Sequence, residues 1–256
     1  MENRTARDAF KSYFRFNNQR TLSTLLPSEL DIIESDRFTA FIDKTRRYDN
    51  QVVMHAPCTR EQLSDALSLY GPEYMPEISI ESWAESDSIN QYLASRGYRL
   101  AFYHQFLWMP VEQVNTVQDS LNSIQVEQWG ADRADDFLAL LESSGLKCSP
   151  QVWQIKRSYY CTDQFRCFVA LINGKPAGWA TMFIDGRIAT LANAFTQPQY
   201  RGQGCQTALL NARIQEAKTF GIEMLLTDVI QDSVSSRNCI SAGFNTHCIK
   251  KVWNPA

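Results

Sequence analysis

Two glycines stand where an apolar run gives way to an Ala- and Leu-rich stretch, in the segment NAFTQPQYRGQGCQTALL (193–210). The first part is rich in β-formers and breaks at Gln197-Pro198, and the second part is typical of a helix. Gly202 and Gly204 therefore fall where a strand ends and a helix begins. Glycine lets backbone N–H groups approach a ligand closely, and a helix N-terminus carries partial positive charge. The segment is a phosphate site in outline, although a lone G-x-G is more typical of a tight turn without a ligand.

Two polar side chains near this joint are further candidates for chemistry. Asp228 lies near the end of the apolar stretch EMLLTDV (223–229), and open α/β sheets present functional groups at the carboxyl ends of their strands. A cap on the following turn, together with Asp232, is the alternative role. Asn193 is polar within an apolar strand, which is costly without a hydrogen-bond partner, so it faces either an acceptor cleft or neighbouring backbone.

The second half of the chain has a readable order of elements. Asn173-Gly174 and Asp185-Gly186 are hairpin signals that divide 166–195 into an antiparallel meander of three strands. The whole order is β-α-α-β-β-β-α-β-α-β, so the third meander strand and 223–229 flank a crossover helix and are expected to be parallel. The other predicted elements are a strand at 123–129, helices at 131–144, 150–161 and 204–220, a short helix from Ser235, and a last strand at 244–253.

The first half contains helical stretches near its start and at 60–69, and strand-like stretches at 51–56 and 77–81. Its segment SINQYLASRGYRLAFYHQFLWMP (88–110) is similar to SSRNCISAGFNTHCIKKVWNP (235–255), with Gly97 matching Gly243. Either the chain is a tandem of two related folds, or a common helix-glycine-strand unit recurs by chance. The predicted organisation is a first domain at 1–110, a polar linker at 111–123 and a second domain at 124–256.

Composition excludes several classes of function. The 256 residues are 44% hydrophobic, with no run long enough to span a membrane and no secretory signal, so we expect a cytoplasmic protein that does not bind membranes. A basic stripe in the first helix leaves a membrane-surface or targeting helix as an alternative. Seven cysteines without a C-x-x-C pair indicate free thiols, and three scattered histidines imply no metal site. A net charge of −3 argues against a nucleic-acid partner.

These features together resemble the GNAT superfamily of N-acetyltransferases, over roughly 124–253. The resemblance rests on the hairpin meander, on QPQYRGQG at the strand-to-helix joint, and on SRNCISAGF before the last strand. Arg201 and Gly204 match the family motif Q/R-x-x-G-x-G/A, whereas Gln206 occupies its last, small position. The resemblance implies an α/β (α+β) fold with a mixed, mostly antiparallel sheet flanked by helices. The first half would then be a second, degenerate GNAT-like domain.

The resemblance also implies acetyl-CoA as cosubstrate and no metal. Its pyrophosphate would lie over the N–H groups at the start of the helix, and its pantetheine arm would pair with the end of the third meander strand. A backbone N–H near Phe195 would bind the carbonyl oxygen as it gains charge. The residues assigned to the cosubstrate are Ala194, Phe195, Thr196, Arg201, Gly202, Gln203, Gly204, Cys205, Gln206 and Thr207.

The catalytic candidates are Asp228, Cys239 and Asn193. Many family members carry a tyrosine acid where this chain has Cys239, whose thiol either donates a proton or only fills space. The expected acceptor is a primary amine of a small molecule or peptide. A non-catalytic acyl-CoA binder and a transferase of aminoacyl groups from charged tRNA are the alternatives. The first half has one of three expected roles: acceptor recognition, homodimer formation or scaffold stability.

Overall fold

The computed structural model describes residues 3–46, 49–71, 74–113 and 124–256. The chain divides into two compact units that are not consecutive along the sequence. Unit 1 comprises Met1–Leu25, Leu107–Asp228 and Ser233–Asn245, and unit 2 comprises Leu26–Phe106, Val229–Asp232 and Thr246–Ala256. The domain boundaries suggested by the sequence stay predictions, and residues 114–123 of the proposed linker lie outside the described residues.

The helices, in chain order, are α1 (Asn3–Arg20), α2 (Arg60–Ser68), α3 (Asp87–Ser95), α4 (Ala134–Ser143), α5 (Pro150–Lys156), α6 (Cys205–Thr219) and α7 (Val234–Ser241). The strands are β1 (Asp31–Glu34), β2 (Phe38–Ile42), β3 (Gln51–Met54), β4 (Glu77–Glu81), β5 (Tyr98–Pro110), β6 (Ile124–Trp129), β7 (Phe165–Ile172), β8 (Lys175–Asp185), β9 (Ile188–Thr196), β10 (Met224–Ile230) and β11 (Asn245–Pro255). Each element predicted in the second half is present, with α5 shorter than expected because a 3-10 turn replaces its last residues.

The sheet of unit 1 is built around the predicted meander. Strands β6 to β9 pair antiparallel in sequence order, and β10 pairs parallel to β9 across the crossover helix α6. Asn173 and Gly174 form the first hairpin turn with φ values of 51° and 72°, as their sequence predicts. The second turn is displaced by one residue: Asp185 pairs with Ile188, so Gly186 and Arg187 form it.

The core of unit 1 is aromatic and includes the first helix of the chain. Phe16 of α1 stacks on Phe183 of β8 with ring centroids 4.6 Å apart. Arg20 is buried in the same core, donates a hydrogen bond to the Tyr160 hydroxyl at 2.9 Å, and lies over the Phe165 ring. Apolar area removed from water is the main stabilising contribution here, so α1 is an integral part of unit 1.

Unit 2 repeats the order of elements seen in unit 1. Strands β1, β2 and β3 form an antiparallel meander, α2 follows, and β4 pairs parallel to β3. Helix α3 then leads through Gly97 into β5, as α7 leads through Gly243 into β11. Both glycines have left-handed φ, 83° and 101°, which a side chain would oppose. From β1 onward the first half is therefore an α/β fold whose order, β-β-β-α-β-α-β, matches that of β7 to β11 in the second half.

The last strands of the two halves do not pair as they would in two separate copies of one fold. In unit 2, β4 pairs antiparallel with β11, with Lys250 opposite Glu81, and β5 follows β11 in the sheet. The strand that completes this sheet next to β4 thus comes from the end of the chain. A reading of the two halves as independent consecutive folds cannot describe this pairing.

Candidate functional site

The joint between β9 and α6 has the backbone geometry of an anion site. Gly202 and Gly204 adopt left-handed φ values of 77° and 91°, and Gly204 is the N-cap residue of α6. No side chain caps this helix, and its first turn carries no acidic residue. The N–H groups of the first turn, which have no partner within the helix, are thus left for a ligand.

Strands β9 and β10 separate beside this joint. Their parallel pairing runs from Ile188 opposite Met224 to Leu191 opposite Thr227, where the Thr227 hydroxyl donates a hydrogen bond to the Leu191 carbonyl at 2.9 Å. Beyond that point β9 keeps its pairing with β8 only. The backbone groups of 192–196 that face away from β8 are available to a ligand that pairs as an added strand.

A close approach of backbone to backbone supports this end of β9. A Cβ placed on Gly178 of β8 would stand 2.7 Å from the Phe195 carbonyl oxygen, a distance that a side chain cannot have. Glycine is therefore required at this position of β8.

The split and the joint border one pocket of about 630 Å³. Nine of the ten residues assigned to the cosubstrate line it, and Arg201 is the only charged side chain among the lining residues. The exception is Gln203, whose side-chain amide donates to the Gln199 carbonyl instead. The lining residues are Ala194, Phe195, Thr196, Tyr200, Arg201, Gly202, Gly204, Cys205, Gln206, Thr207, Leu209, Val234, Ser235 and Asn238.

The long side chain of Gln206 is held by α7. Its amide nitrogen donates to the Ser235 hydroxyl at 2.6 Å, and its amide oxygen accepts from the Asn238 side chain at 2.9 Å. The family motif has a small residue at this position, and a long side chain there needs room beside the pyrophosphate. The two hydrogen bonds instead make its side chain part of the pocket wall.

The three catalytic candidates lie in different surroundings. Asp228 is half-buried on β10, just beyond the last residue paired with β9. Burial raises the pKa of the Tyr13 hydroxyl, and the Arg20 guanidinium opposes that rise. The Asp228 carboxylate adds to the rise, so Asp228 and Tyr13 interact. The Tyr13 hydroxyl of α1 is therefore near enough to Asp228 for the carboxylate to influence its pKa.

Asn193 and Cys239 have opposite exposures. Asn193 is exposed, so its amide is not buried in the core, and its role at an acceptor cleft stays a prediction. Cys239 is buried and is not among the pocket-lining residues. Burial raises the pKa of its thiol, and the nearby Arg213 guanidinium only partly offsets that effect, so the thiol is neutral at physiological pH.

Sequence reasoning missed five lining residues: Tyr200, Leu209, Val234, Ser235 and Asn238. Ser235 and Asn238 are three positions apart on α7 and share a helical face, which is a signal the sequence contained. Two further large aromatic side chains lie in the cores: Trp253 packs in the core of unit 2, and Tyr160 packs beside Arg20 in the core of unit 1.

Within the described ranges, no group of histidine, cysteine and acidic residues could hold a metal ion. Among those same residues, none of the helices has the length and apolar character needed to cross a bilayer.

Comparison with known proteins gives a family match over the part of the chain that forms the pocket. Residues 127–244 match the family described as Acetyltransferase (GNAT) family. An uncharacterized N-acetyltransferase of Methanocaldococcus jannaschii is 34% identical over 76 residues, which are 27% of this chain and 31% of that protein. The matching region thus spans about a third of the length of this relative.

Solved structures extend the fold likeness to nearly the whole chain. A GCN5-related N-acetyltransferase from Kribbella flavida has a TM-score of 0.58 at 12% identity and covers 89% of this chain and 90% of its own. A tandem GNAT protein from the clavulanic acid biosynthesis pathway has a TM-score of 0.51 at 12% identity, covering 96% of this chain and 94% of its own. At these identities the likeness shows the fold, and it includes the N-terminal part.

Proposed function

From the match of residues 127–244 to the acetyltransferase (GNAT) family, we propose that the chain transfers an acetyl group from acetyl-CoA to a primary amine of a small molecule or peptide. The observation that carries the proposal is the pocket that joins the uncapped start of α6 to the split between β9 and β10. A linear ligand with an anionic group at one end and amides along its length would fit this pocket. Its anionic group would meet the N–H groups at the start of α6, and its amides would meet the free backbone groups of β9 at the split.

The residues of the pocket fit such a ligand. Backbone N–H groups around Gly204 and Cys205 would bind the pyrophosphate, with Arg201 adding a charge at the rim. Backbone groups of Ala194, Phe195 and Thr196 would pair with the pantetheine amides. Acetyl-CoA supplies its acetyl group as a thioester, which an amine can attack without a covalent enzyme intermediate.

The chain would then contribute proton transfer and charge stabilisation. In this proposal Asp228 accepts the proton that the attacking amine must lose, because it stands beside the split. A backbone N–H near Phe195 donates to the carbonyl oxygen as negative charge develops there. The proton for the departing thiolate comes from solvent or from Cys239, whose thiol is neutral but buried.

The wider setting of the proposal is a cytoplasmic enzyme. No disulfide joins any of the seven cysteines, which supports a reducing compartment. We further propose that the first half of the chain has a role in acceptor recognition, scaffold stability or homodimer formation. Size-exclusion chromatography of the full chain separates the last role from the others.

The test is a thiol-release assay with acetyl-CoA and a panel of amines, polyamines, amino acids and peptides, repeated with longer acyl-CoA donors. Amine-dependent release of free thiol, with the acetylated product seen by mass spectrometry, is the expected result. A second candidate function, a non-catalytic acyl-CoA binder, is favoured by the buried thiol at the position of the family's tyrosine. Tight binding of acetyl-CoA with no release for any acceptor would establish that candidate and overturn ours.

A further inference from the structure

A β-bulge interrupts the pairing of β8 and β9 directly before the pocket. Ala180 pairs with Ala194 and Met182 pairs with Leu191, so Thr181 alone faces two residues of β9, Ala192 and Asn193. Bulges bend a strand and change the direction of the groups that follow. The groups that follow here are the backbone N–H and C=O of 194–196, which line the pocket.

Thr181 has contacts on both sides of this bulge. Its hydroxyl donates a long hydrogen bond of 3.5 Å to the carbonyl of Asn193, within the bulge. Its own carbonyl accepts a hydrogen bond of 3.2 Å from a guanidinium nitrogen of Arg213 on α6. One residue therefore links the bulge to the helix that begins at the glycine joint.

Arg213 is an unusual residue for this position. It is only 4% exposed, and its other hydrogen bond, of 3.1 Å, goes to the carbonyl of Leu209, a pocket-lining residue. Burial lowers its pKa to about 10, so it still carries its charge at neutral pH. Both of its hydrogen bonds within the described chain go to backbone carbonyls, and a charge kept from water in this way is costly.

We infer that Arg213 is a positioning residue, which fixes α6 and the β9 bulge relative to one another through the carbonyls of Leu209 and Thr181. The inference rests on the proposed function, because the group being positioned is the backbone N–H near Phe195 that meets the thioester carbonyl. A rigid connection matters there, since a hydrogen-bond donor stabilises developing charge only when it is held in place beforehand. A side chain that only filled the core would need neither a charge nor a fork of donors.

The experiment observes the thioester carbonyl directly and needs no acceptor. Acetyl-CoA labelled with ¹³C at the acetyl carbonyl is bound to the full chain, and its ¹³C resonance is compared with that of the free compound. Binding to the pocket should move the resonance downfield through the hydrogen bond from the N–H. Calorimetry with the same compound gives the affinity, and thermal unfolding gives the stability of each variant.

The decisive variant is Arg213→Met, which keeps an unbranched apolar stem and removes the charge and both hydrogen bonds. We expect its bound carbonyl resonance to return about half of the way or more to the free value, while the dissociation constant changes by no more than about threefold because the pyrophosphate N–H groups remain. Arg166→Met is the matched control: Arg166 is also buried and contacts α6 through Glu216, at a different position along that helix. R166M should keep the wild-type resonance.

The outcomes that decide the inference are distinct. A bound carbonyl resonance in R213M equal to that of the wild type overturns the inference. A resonance that moves toward the free value by the same amount in R166M as in R213M also overturns it. If R213M does not fold, Arg213→Lys takes its place, because lysine keeps the charge but lacks the planar fork that reaches two carbonyls. An R213K resonance displaced toward the free value supports the inference, and an unchanged one overturns it. Failure of the wild type to bind acetyl-CoA would instead contradict the proposed function.

Discussion

The side-chain oxygen of Gln206, in the first turn of α6, accepts a hydrogen bond of 2.9 Å from the side-chain amide of Asn238 on α7. The side-chain nitrogen of Gln206 donates a second hydrogen bond to the Ser235 hydroxyl, so two hydrogen bonds join this residue to α7. The start of α6, where the phosphate site is proposed, is thereby fixed to the helix that forms another wall of the same pocket.

Gln206→Met should weaken both the fold and the pocket. Methionine has similar length but cannot replace either hydrogen bond, so we expect the free energy of unfolding to fall by about 1 to 2 kcal/mol. Calorimetry should show weaker acetyl-CoA binding, by roughly three- to tenfold, because the helix start is less fixed. Gln203→Met is the control, since the side chain of Gln203 lies outside the pocket lining. Equal affinity in both variants would mean that the α6–α7 contact does not shape the site.

Gly204→Val should reduce acetyl-CoA affinity by about 1 to 3 kcal/mol, the cost of leaving buried donors and acceptors unpaired. Valine opposes the left-handed φ of 91° and would move the N–H groups of the first turn. Gly221→Val introduces a comparable strain at the other end of α6, where φ is 68° and a Cβ meets nothing within 4 Å. An affinity loss shared by both variants would assign the effect to strain on the helix rather than to the phosphate site.

Asp228→Asn should lower turnover by roughly 10²-fold, the usual loss when a general base is removed, with little change in acetyl-CoA affinity. The amide keeps the shape of the carboxylate but cannot accept the proton from the amine. Steady-state kinetics on the acceptor found by the thiol-release screen gives the comparison. Turnover within a few-fold of the wild type would exclude Asp228 as the base.

Cys239→Ala should retain most turnover and lose about 1 kcal/mol of stability, because the buried thiol fills space in the interior of unit 1. Burial raises the pKa of this thiol, so it is neutral across the physiological range and gives the pH profile no ionisation to lose. If instead this variant alone falls by roughly 10²-fold, Cys239 is the proton donor for the thiolate.

Acetyl-CoA should bind the full chain with a stoichiometry of one, measured by calorimetry. The equivalent of α6 in unit 2 is α2, whose first N–H groups already bond to a capping box formed by Thr59 and Gln62. Strands β3 and β4 also pair from Gln51 opposite Glu77 to Met54 opposite Ile80, which covers all of β3 and leaves no split along it. Two equivalent sites would contradict this reading of unit 2.

A fragment of residues 120–256 should not form a stable acetyltransferase domain. It lacks α1, which supplies Phe16 and Arg20 to the core of unit 1, and a buried aromatic side chain alone is worth about 3 to 5 kcal/mol. Circular dichroism and thermal unfolding of the fragment, with the full chain as reference, test this. A cooperative transition at the temperature of the full chain would show that α1 is dispensable.

Much of the fold could be predicted from local sequence. Asn173-Gly174 accepts the positive φ of a hairpin turn, and Gly204 and Gly243 mark the backbone positions where a side chain would be strained. The alternation and periodicity of apolar residues gave the order of strands and helices in the second half, because burial enforces those periods locally. The family resemblance supplied the residues assigned to the cosubstrate, and nine of these ten residues line one pocket.

Tertiary structure alone decided which side chains meet. No local pattern indicates that Gln206 bonds to Asn238, that Arg213 reaches the carbonyl of Thr181, or that Tyr13 interacts with Asp228, because each pair joins elements that are distant in sequence. The pairing of β4 with β11 is equally non-local. Periodicity records whether a residue is buried, whereas hydrogen-bond partners and strand neighbours depend on how the whole chain packs.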